Sequence, residues 1–199
     1  MKILLIITSI LVILFLVFQV FTVMATRKTN EQPYSVIKKE KEFEIRFYPS
    51  VPIATMSSSA KSFKALGSEG FRKLAGYIFG ANQDNKSIAM TSPVSMSIED
   101  TASSMSFVMP SGYTLDNLPK PNDDAVKLSM SNEEYVAVIS FGGFASDEDI
   151  QSYTEALKEI LIKNNISYLG SFKYLGYNPP YQLVDRRNEI VVRIQWDKI

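Results

Sequence analysis

The chain of 199 residues contains no cysteine and no histidine. The first absence removes a disulfide framework, a thiolate metal site, a cysteine nucleophile and a thioether-linked prosthetic group. It also removes lipid attachment at a lipobox, which needs a cysteine, and it lets the chain fold in an oxidising or a reducing compartment. The second absence removes a Ser-His-Asp triad, a histidine zinc site and an imidazole ligand to iron. Charge of one sign is also lacking: 21 basic and 21 acidic residues leave zero net charge. Nucleic-acid binding would want a clustered basic face, so the sequence makes no case for it.

What is present begins with an apolar run. Ile3 to Ala25 holds no charged residue, and its polar members are only Thr8, Ser9, Gln19 and Thr22. A helix needs about 20 apolar residues to cross the hydrocarbon core, and this run reaches that length. A buried core helix would show a polar stripe, which is missing here. The sequence therefore predicts a transmembrane anchor over residues 1–26, a polar linker over 27–33 and a folded domain over 34–197. The competing reading is a cleaved signal peptide, with Lys2 ahead of the run and Val23-Met24-Ala25 at a small-residue cleavage site. The run is longer than the ~7–15 residues of a signal core. Orientation draws on two opposed signals. Arg27, Lys28, Lys38, Lys39 and Lys41 beyond the run favour a cytoplasmic domain. The signal-like start favours export, and long domains translocate despite local charge. We take a single-pass membrane protein with its domain outside the cytoplasm.

The remaining sequence, with 46% hydrophobic residues in the whole chain, can bury one sizeable core. Phe43, Ile45 and Phe47 alternate with Glu44, Arg46 and Tyr48, as a half-buried strand requires. A second strand follows from Val51 to Met56. Phe63, Leu66, Phe71, Leu74 and Ile78 mark a helix over 62–79, where Gly67 and Gly70 permit a break and Gly80-Ala81-Asn82 supplies the stop. Ile88 to Ile98 reads as a strand with a bulge or edge at Pro93, which has no N–H to donate. Met105, Phe107 and Met109 form its partner. A connection rich in proline, asparagine and aspartate spans 111–124. The order then repeats: strand 135–141, Gly142-Gly143, a helix over 147–164 capped by Ser146, and strands at 172–177 and 189–196. Two strand-helix-strand units in tandem predict a pseudo-twofold, duplicated α+β domain with two main helices. Its curled antiparallel sheet is expected to form a distorted barrel, with the N-terminal transmembrane helix added.

Six short motifs stand in order through this region: Tyr77-Ile-Phe-Gly-Ala-Asn82, Ile88-Ala-Met-Thr-Ser-Pro-Val94, Phe107-Val-Met-Pro110, Leu118-Pro-Lys-Pro121, Tyr177-Asn-Pro-Pro180 and Arg186-Arg-Asn-Glu-Ile190. Together they resemble the SOUL family of heme-binding proteins from about Tyr34 to Trp196. The resemblance implies the same strand-and-helix arrangement. It also implies a tetrapyrrole ligand, heme or another porphyrin, in a shallow apolar groove beside the first domain helix, with basic side chains near the propionates. Carried over by position in the helix, the candidate residues are Phe63, Leu66, Arg72, Lys73 and Tyr77. Tyr177 joins them as a ring or phenolate at a rigid proline bend. Each motif also has a structural reading. Met90 and Met96 fit a core strand as well as a ligand site. Tyr77 to Asn82 fits a helix end. Arg186 and Arg187 fit ion pairs with Asp185 and Glu189 as well as anion recognition.

Three functions compete. One is a membrane-anchored binding module for heme or a related porphyrin, working by ring burial and rim cations. Another is a small-molecule or tetrapyrrole-modifying enzyme, since the SOUL fold is similar to the GyrI-like effector-binding group, which includes hydrolases. Glu69, Glu134 and Glu189 are the available acids, and a buried glutamate beside a tyrosine in a cleft would favour this reading. The third is a module whose groove takes a peptide or helix from a protein partner. No metal site and no catalytic residue is predicted.

Overall fold

The computed structural model describes residues 1–99 and 102–196. An apolar helix, α1 (Lys2–Arg27), leads into two short strands, β1 (Asn30–Glu31) and β2 (Ser35–Lys39). Next come β3 (Glu44–Tyr48), β4 (Pro52–Ser58), α2 (Phe63–Ile78), β5 (Thr91–Ser92), β6 (Val94–Ser97), β7 (Ser103–Val108) and β8 (Val126–Met130). The last elements are β9 (Glu134–Phe141), α3 (Asp147–Lys163), β10 (Tyr168–Gly176) and β11 (Asn188–Ile194).

Nine strands form one sheet in the order β2-β3-β9-β11-β10-β6-β7-β4-β8, antiparallel between all neighbours. From the central β10-β6 pair outward, each half runs through the two strands that follow its helix and then the strand that precedes it. The register aligns one row across the sheet: Val126, Met56, Met105, Met96, Tyr174, Ile190 and Ile139. Cross-strand partners share a face, so α2 and α3 cover the same side. Leu66, Leu74 and Ile78 of α2 pack on Met56 and Met105 of the sheet; Leu157 and Leu161 of α3 pack with Ile45, Ala137 and Ile190.

The helices start where their caps dictate. Ser62 accepts from the Ala65 amide, and Ser146 forms a capping box with Asp149. The carboxylate of Asp147, at the start of α3, accepts from the amides of Phe63 (2.9 Å) and Lys64 (3.3 Å), so it serves the open N–H groups of α2 as well. The helix α2 is unbroken at Gly67 and Gly70. Gly70 instead permits close approach: a Cβ there would sit 2.9 Å from the Met105 sulfur and 3.0 Å from its Cβ.

Two expectations need correction. The sheet is open and not a distorted barrel. Its edges, β2 and β8, do not pair, whereas closure would require them to exchange hydrogen bonds across a tilted, staggered seam. Both helices sit on one face and bury it, and Lys38 and Lys39 mark β2 as a charged edge. The strand expected over 88–98 also divides. Before Pro93 the chain pairs in parallel with β1; after it, the chain joins the main sheet between β10 and β7.

Candidate functional site

A cleft of about 310 Å³ flanks the C-terminal half of α2. Its wall is Arg72, Lys73, Gly76 and Tyr77 from successive turns, and its opposite side is Ala81, Pro121, Asp123 and Val126. Gly76 and Ala81 create the space, because a Cβ at Gly76 would meet only the Ala81 methyl, at 4.0 Å. Lys73 is paired with Asp123 at 2.9 Å. That contact holds the Asp123 carboxyl below its ordinary range. Arg72 is exposed and has no ion-pair partner among the described residues.

The floor of the cleft is pinned from the helix end. Tyr77 is buried and its hydroxyl donates to the Pro119 carbonyl at 3.0 Å. Burial, and then the nearby Tyr113, push its pKa up to about 12. Asn82 donates to the carbonyls of Tyr77 and Lys86 and accepts from the Lys86 amide. Gly80 takes φ +113°, where glycine is favoured. The Tyr77–Asn82 motif is thus one device that ends α2 and anchors the 119–121 segment beside it.

A second polar centre lies on the opposite face of the sheet. Glu189 is completely buried on β11, and both of its oxygens are bound. Arg46 donates two hydrogen bonds to it (2.9 and 3.1 Å), Arg187 two more (3.0 and 2.8 Å) and Tyr177 one (2.7 Å). Burial alone would raise the glutamate's pKa; hydrogen bonds and charge from Arg46, then charge from Arg187, reverse the sign and leave it lowered. Burial and the adjacent Glu189 charge raise Tyr177. The Arg187 guanidinium covers the Tyr177 ring at 3.9 Å, and Arg46 covers Tyr34 at 4.3 Å. Tyr177 and Arg187 reach a smaller cavity of about 200 Å³, while Glu189 does not line it. A carboxylate held ionised by two guanidinium groups is a poor proton donor or acceptor, so this cluster has the chemistry of a structural lock.

Set beside known sequences, the SOUL heme-binding protein profile matches residues 29–193. The chain belongs to that family. Relatives include heme-binding protein 2 of Mus musculus, 32% identical over 167 residues, covering 79% of this chain and 80% of that protein. Heme-binding protein 1 of Xenopus laevis is 29% identical over 171 residues, covering 81% and 90%. Among solved structures, the EcmrR C-terminal domain superposes with a TM-score of 0.60 at 9% identity, covering 82% of this chain and 99% of that one. A hydrolase from Listeria innocua gives 0.55 at 8% identity, covering 80% and 94%. At such identities these two likenesses concern the fold alone.

On this SOUL-family domain the residues expected at a ligand site do not all come together. Arg72, Lys73 and Tyr77 share the cleft. Phe63 and Leu66 lie towards the other end of α2. Phe63 meets Tyr174 edge-on at 5.9 Å, and Leu66 is fully enclosed in the core under α2. Tyr177 belongs to the Glu189 cluster on the other face. Met90 and Met96 are half-buried and pack against the core. Arg187 pairs with Glu189 and Glu31, whereas Arg186 donates to the carbonyls of Gly143, Pro179 and Gln182. Of the other acids, Glu69 accepts from Ser58 and Glu134 pairs with Lys173. Sequence reasoning missed Arg46 and Tyr48, which alternation had placed on the solvent side of β3. The sequence already offered Arg187, two residues before Glu189, as its cation, so nothing in the sequence pointed to the second cation on β3.

Proposed function

We propose that this chain is a membrane-anchored tetrapyrrole-binding protein that holds heme or another porphyrin at the cleft beside α2. The observation that supports it most is an apolar-floored cleft in a SOUL-family domain, with the unpaired Arg72 at its rim. Arg72 would meet a propionate as a bidentate donor. Lys73 would do so only by leaving Asp123. Gly76, Ala81 and Val126 would face the ring. Phe63, Leu66 and Tyr177 stay outside this assignment.

The cleft fits a porphyrin in part. Ligand pockets run from about 300 to 1,000 Å³, and this one is at the lower bound, so the ring would cover the mouth or enter by one edge. When bound, heme supplies a flat apolar ring, two carboxylates and an iron that accepts axial ligands. The chain has no imidazole to offer, and the Tyr77 hydroxyl is committed to Pro119. Binding would rest on burial and rim charge, with metal-free porphyrin held nearly as well as heme.

The test is an absorbance titration of the full chain in micelles with hemin and with protoporphyrin IX, empty micelles serving as the blank. Arg72→Ala should weaken both by about tenfold, near the ~1.5–3 kcal/mol of a charge-assisted hydrogen bond. A strong preference for hemin, or unchanged affinity in Arg72→Ala, would overturn the assignment. The anchor in this reading is α1, long and apolar enough to cross a membrane. Lys2 ahead of the apolar run supports an extracytoplasmic domain.

A further inference from the structure

The helix α1 does not stand clear of the domain. From Ile3 to Phe18 every residue is exposed, and then one face turns inward: Gln19 and Thr22 are buried and Thr26 is bonded. Gln19 donates to the Tyr181 carbonyl (3.1 Å) and accepts from the Leu183 amide (2.9 Å). Thr26 donates to Gln182, Arg27 pairs with Asp185, and the Phe18 and Tyr181 rings lie 6.0 Å apart. The loop before β11 therefore sits against the last turns of the anchor.

This fixes the loop's depth, given the reading of α1 as a membrane span. At ~1.5 Å per residue, the wholly exposed stretch Ile3–Phe18 rises only about 24 Å, short of the ~30 Å hydrocarbon core. The other face of the next turns supplies the rest, because Val20, Phe21 and Met24 remain exposed and apolar. The turn that carries Gln19 is thus needed to complete the span, and whatever touches Gln19 shares its depth. An amide side chain and two loop backbone groups satisfy one another there, as polar groups in lipid must. The loop's own side chains suit that level: Tyr181, Leu183 and Val184 are exposed, and so is Phe144 on the adjacent turn. Arg186 clasps the two segments, with its guanidinium 4.3 Å from the Phe144 ring and bonded to carbonyls of both.

We propose that Phe144, Tyr181, Leu183 and Val184 form a lipid-contacting surface, set into the bilayer interface beside the point where α1 enters. The occupant is the bilayer itself. Tyrosine suits the headgroup level, and leucine, valine and phenylalanine the acyl chains beneath it.

Because the chain has no cysteine, single thiols report cleanly. Val184→Cys, Leu11→Cys and Asn132→Cys are each labelled with an environment-sensitive nitrobenzoxadiazole and the full chain is placed in phosphatidylcholine vesicles. Asn132 lies in the segment ahead of β9, whose eight residues put about 23 Å between Glu134 and Phe141 at ~3.3 Å per residue. The probe at 184 should be blue-shifted and quenched by a spin label near the lipid headgroup several times more than the probe at 132. The probe at 11 should be quenched by a label deep in the acyl chain. Quenching at 11 with none at 184 would overturn the lipid surface and leave the anchor standing. A blue shift at 184 without lipid quenching would mean protein cover, and would overturn it too. No quenching at 11 would remove the anchor and the surface with it.

Discussion

The two helices cover one sheet with the same strand order around each, yet they build different things. On the α3 side, aromatic rings close the packing: Phe141 stacks on Tyr153 with centroids 4.0 Å apart and planes 11° from parallel, and Leu157 and Leu161 are fully buried. On the α2 side, Gly76 and Ala81 leave a cleft, with an exposed arginine at its lip. The charges differ in the same sense. Behind the sheet of the α3 half, Arg46 and Arg187 close on the buried Glu189, while Arg72 beside the cleft has no ion-pair partner among the described residues. Repeating an element order reproduces a scaffold; the size of two or three side chains decides which side keeps room for a ligand.

The largest effect should come from opening the locked side. Arg46→Ala leaves Glu189 enclosed with Arg187 as its one remaining cation, and should lower stability by about 3 kcal/mol, the low end for breaking a buried pair. Thermal unfolding followed by circular dichroism on the full chain would read this as a large drop in Tm. Porphyrin affinity measured well below that Tm should hold, because the cleft lies across the sheet. The double variant Arg46→Met, Glu189→Met should recover part of the loss, since the enclosed carboxylate is gone and Arg187 keeps Glu31, while the buried Tyr177 hydroxyl loses its acceptor. A small change in Arg46→Ala would mean that water reaches the cluster.

Acid should open the same lock. The folded-state pKa of Glu189 lies below its ordinary value of 4.5. A depressed carboxylate contributes stability that is fully present above the unfolded value and is lost as pH falls through the folded one. Tm should therefore decline as pH drops below about 4.5. Glu189→Gln should start from a lower Tm and show a shallower acid decline. An identical decline in both would assign the acid sensitivity to other carboxylates.

Period and caps made much of this fold legible before any coordinates. Alternation located β3 and β11, a nearly continuous apolar run located β9, Ser146 marked the start of α3, and Gly80 marked the turn after α2. The strands β1, β2 and β8 were not seen. Two residues of β1 carry no period, and in β2 all five residues are exposed, so no burial imposes a pattern on them. Gly70 looked like a weak point in a helix because propensity is local, whereas its reason is Met105 on another strand. The site was half visible. Arg72, Lys73 and Tyr77 fell on one flank by helical spacing, but Leu66 at the same spacing points into the core and Tyr177 lies across the sheet. Arg46 was unreadable for a general reason: a cation in an alternating strand looks solvated until a distant residue such as Glu189 is brought opposite it.

The subtlest test of the contrast uses two glycines on one helix. Gly70 faces β7 and Gly76 faces the cleft. In an exposed helix interior, glycine costs about 1 kcal/mol relative to alanine, so each replacement gains that much locally. At Gly70 the new methyl would overlap the Met105 side chain near its root as well as at its sulfur, and overpacking of this kind costs ~1–3 kcal/mol. Gly70→Ala should therefore lose about 1 kcal/mol net. At Gly76 the methyl meets one other methyl in ordinary contact, and Gly76→Ala should gain about 0.5–1 kcal/mol. Opposite shifts in Tm between these variants would show that one helix uses glycine for contact and again for space. Gly76→Leu then carries the logic to the ligand: it should keep or raise Tm while filling the cleft, and porphyrin should bind at least several-fold more weakly. Full affinity in Gly76→Leu would move the ring away from α2 altogether.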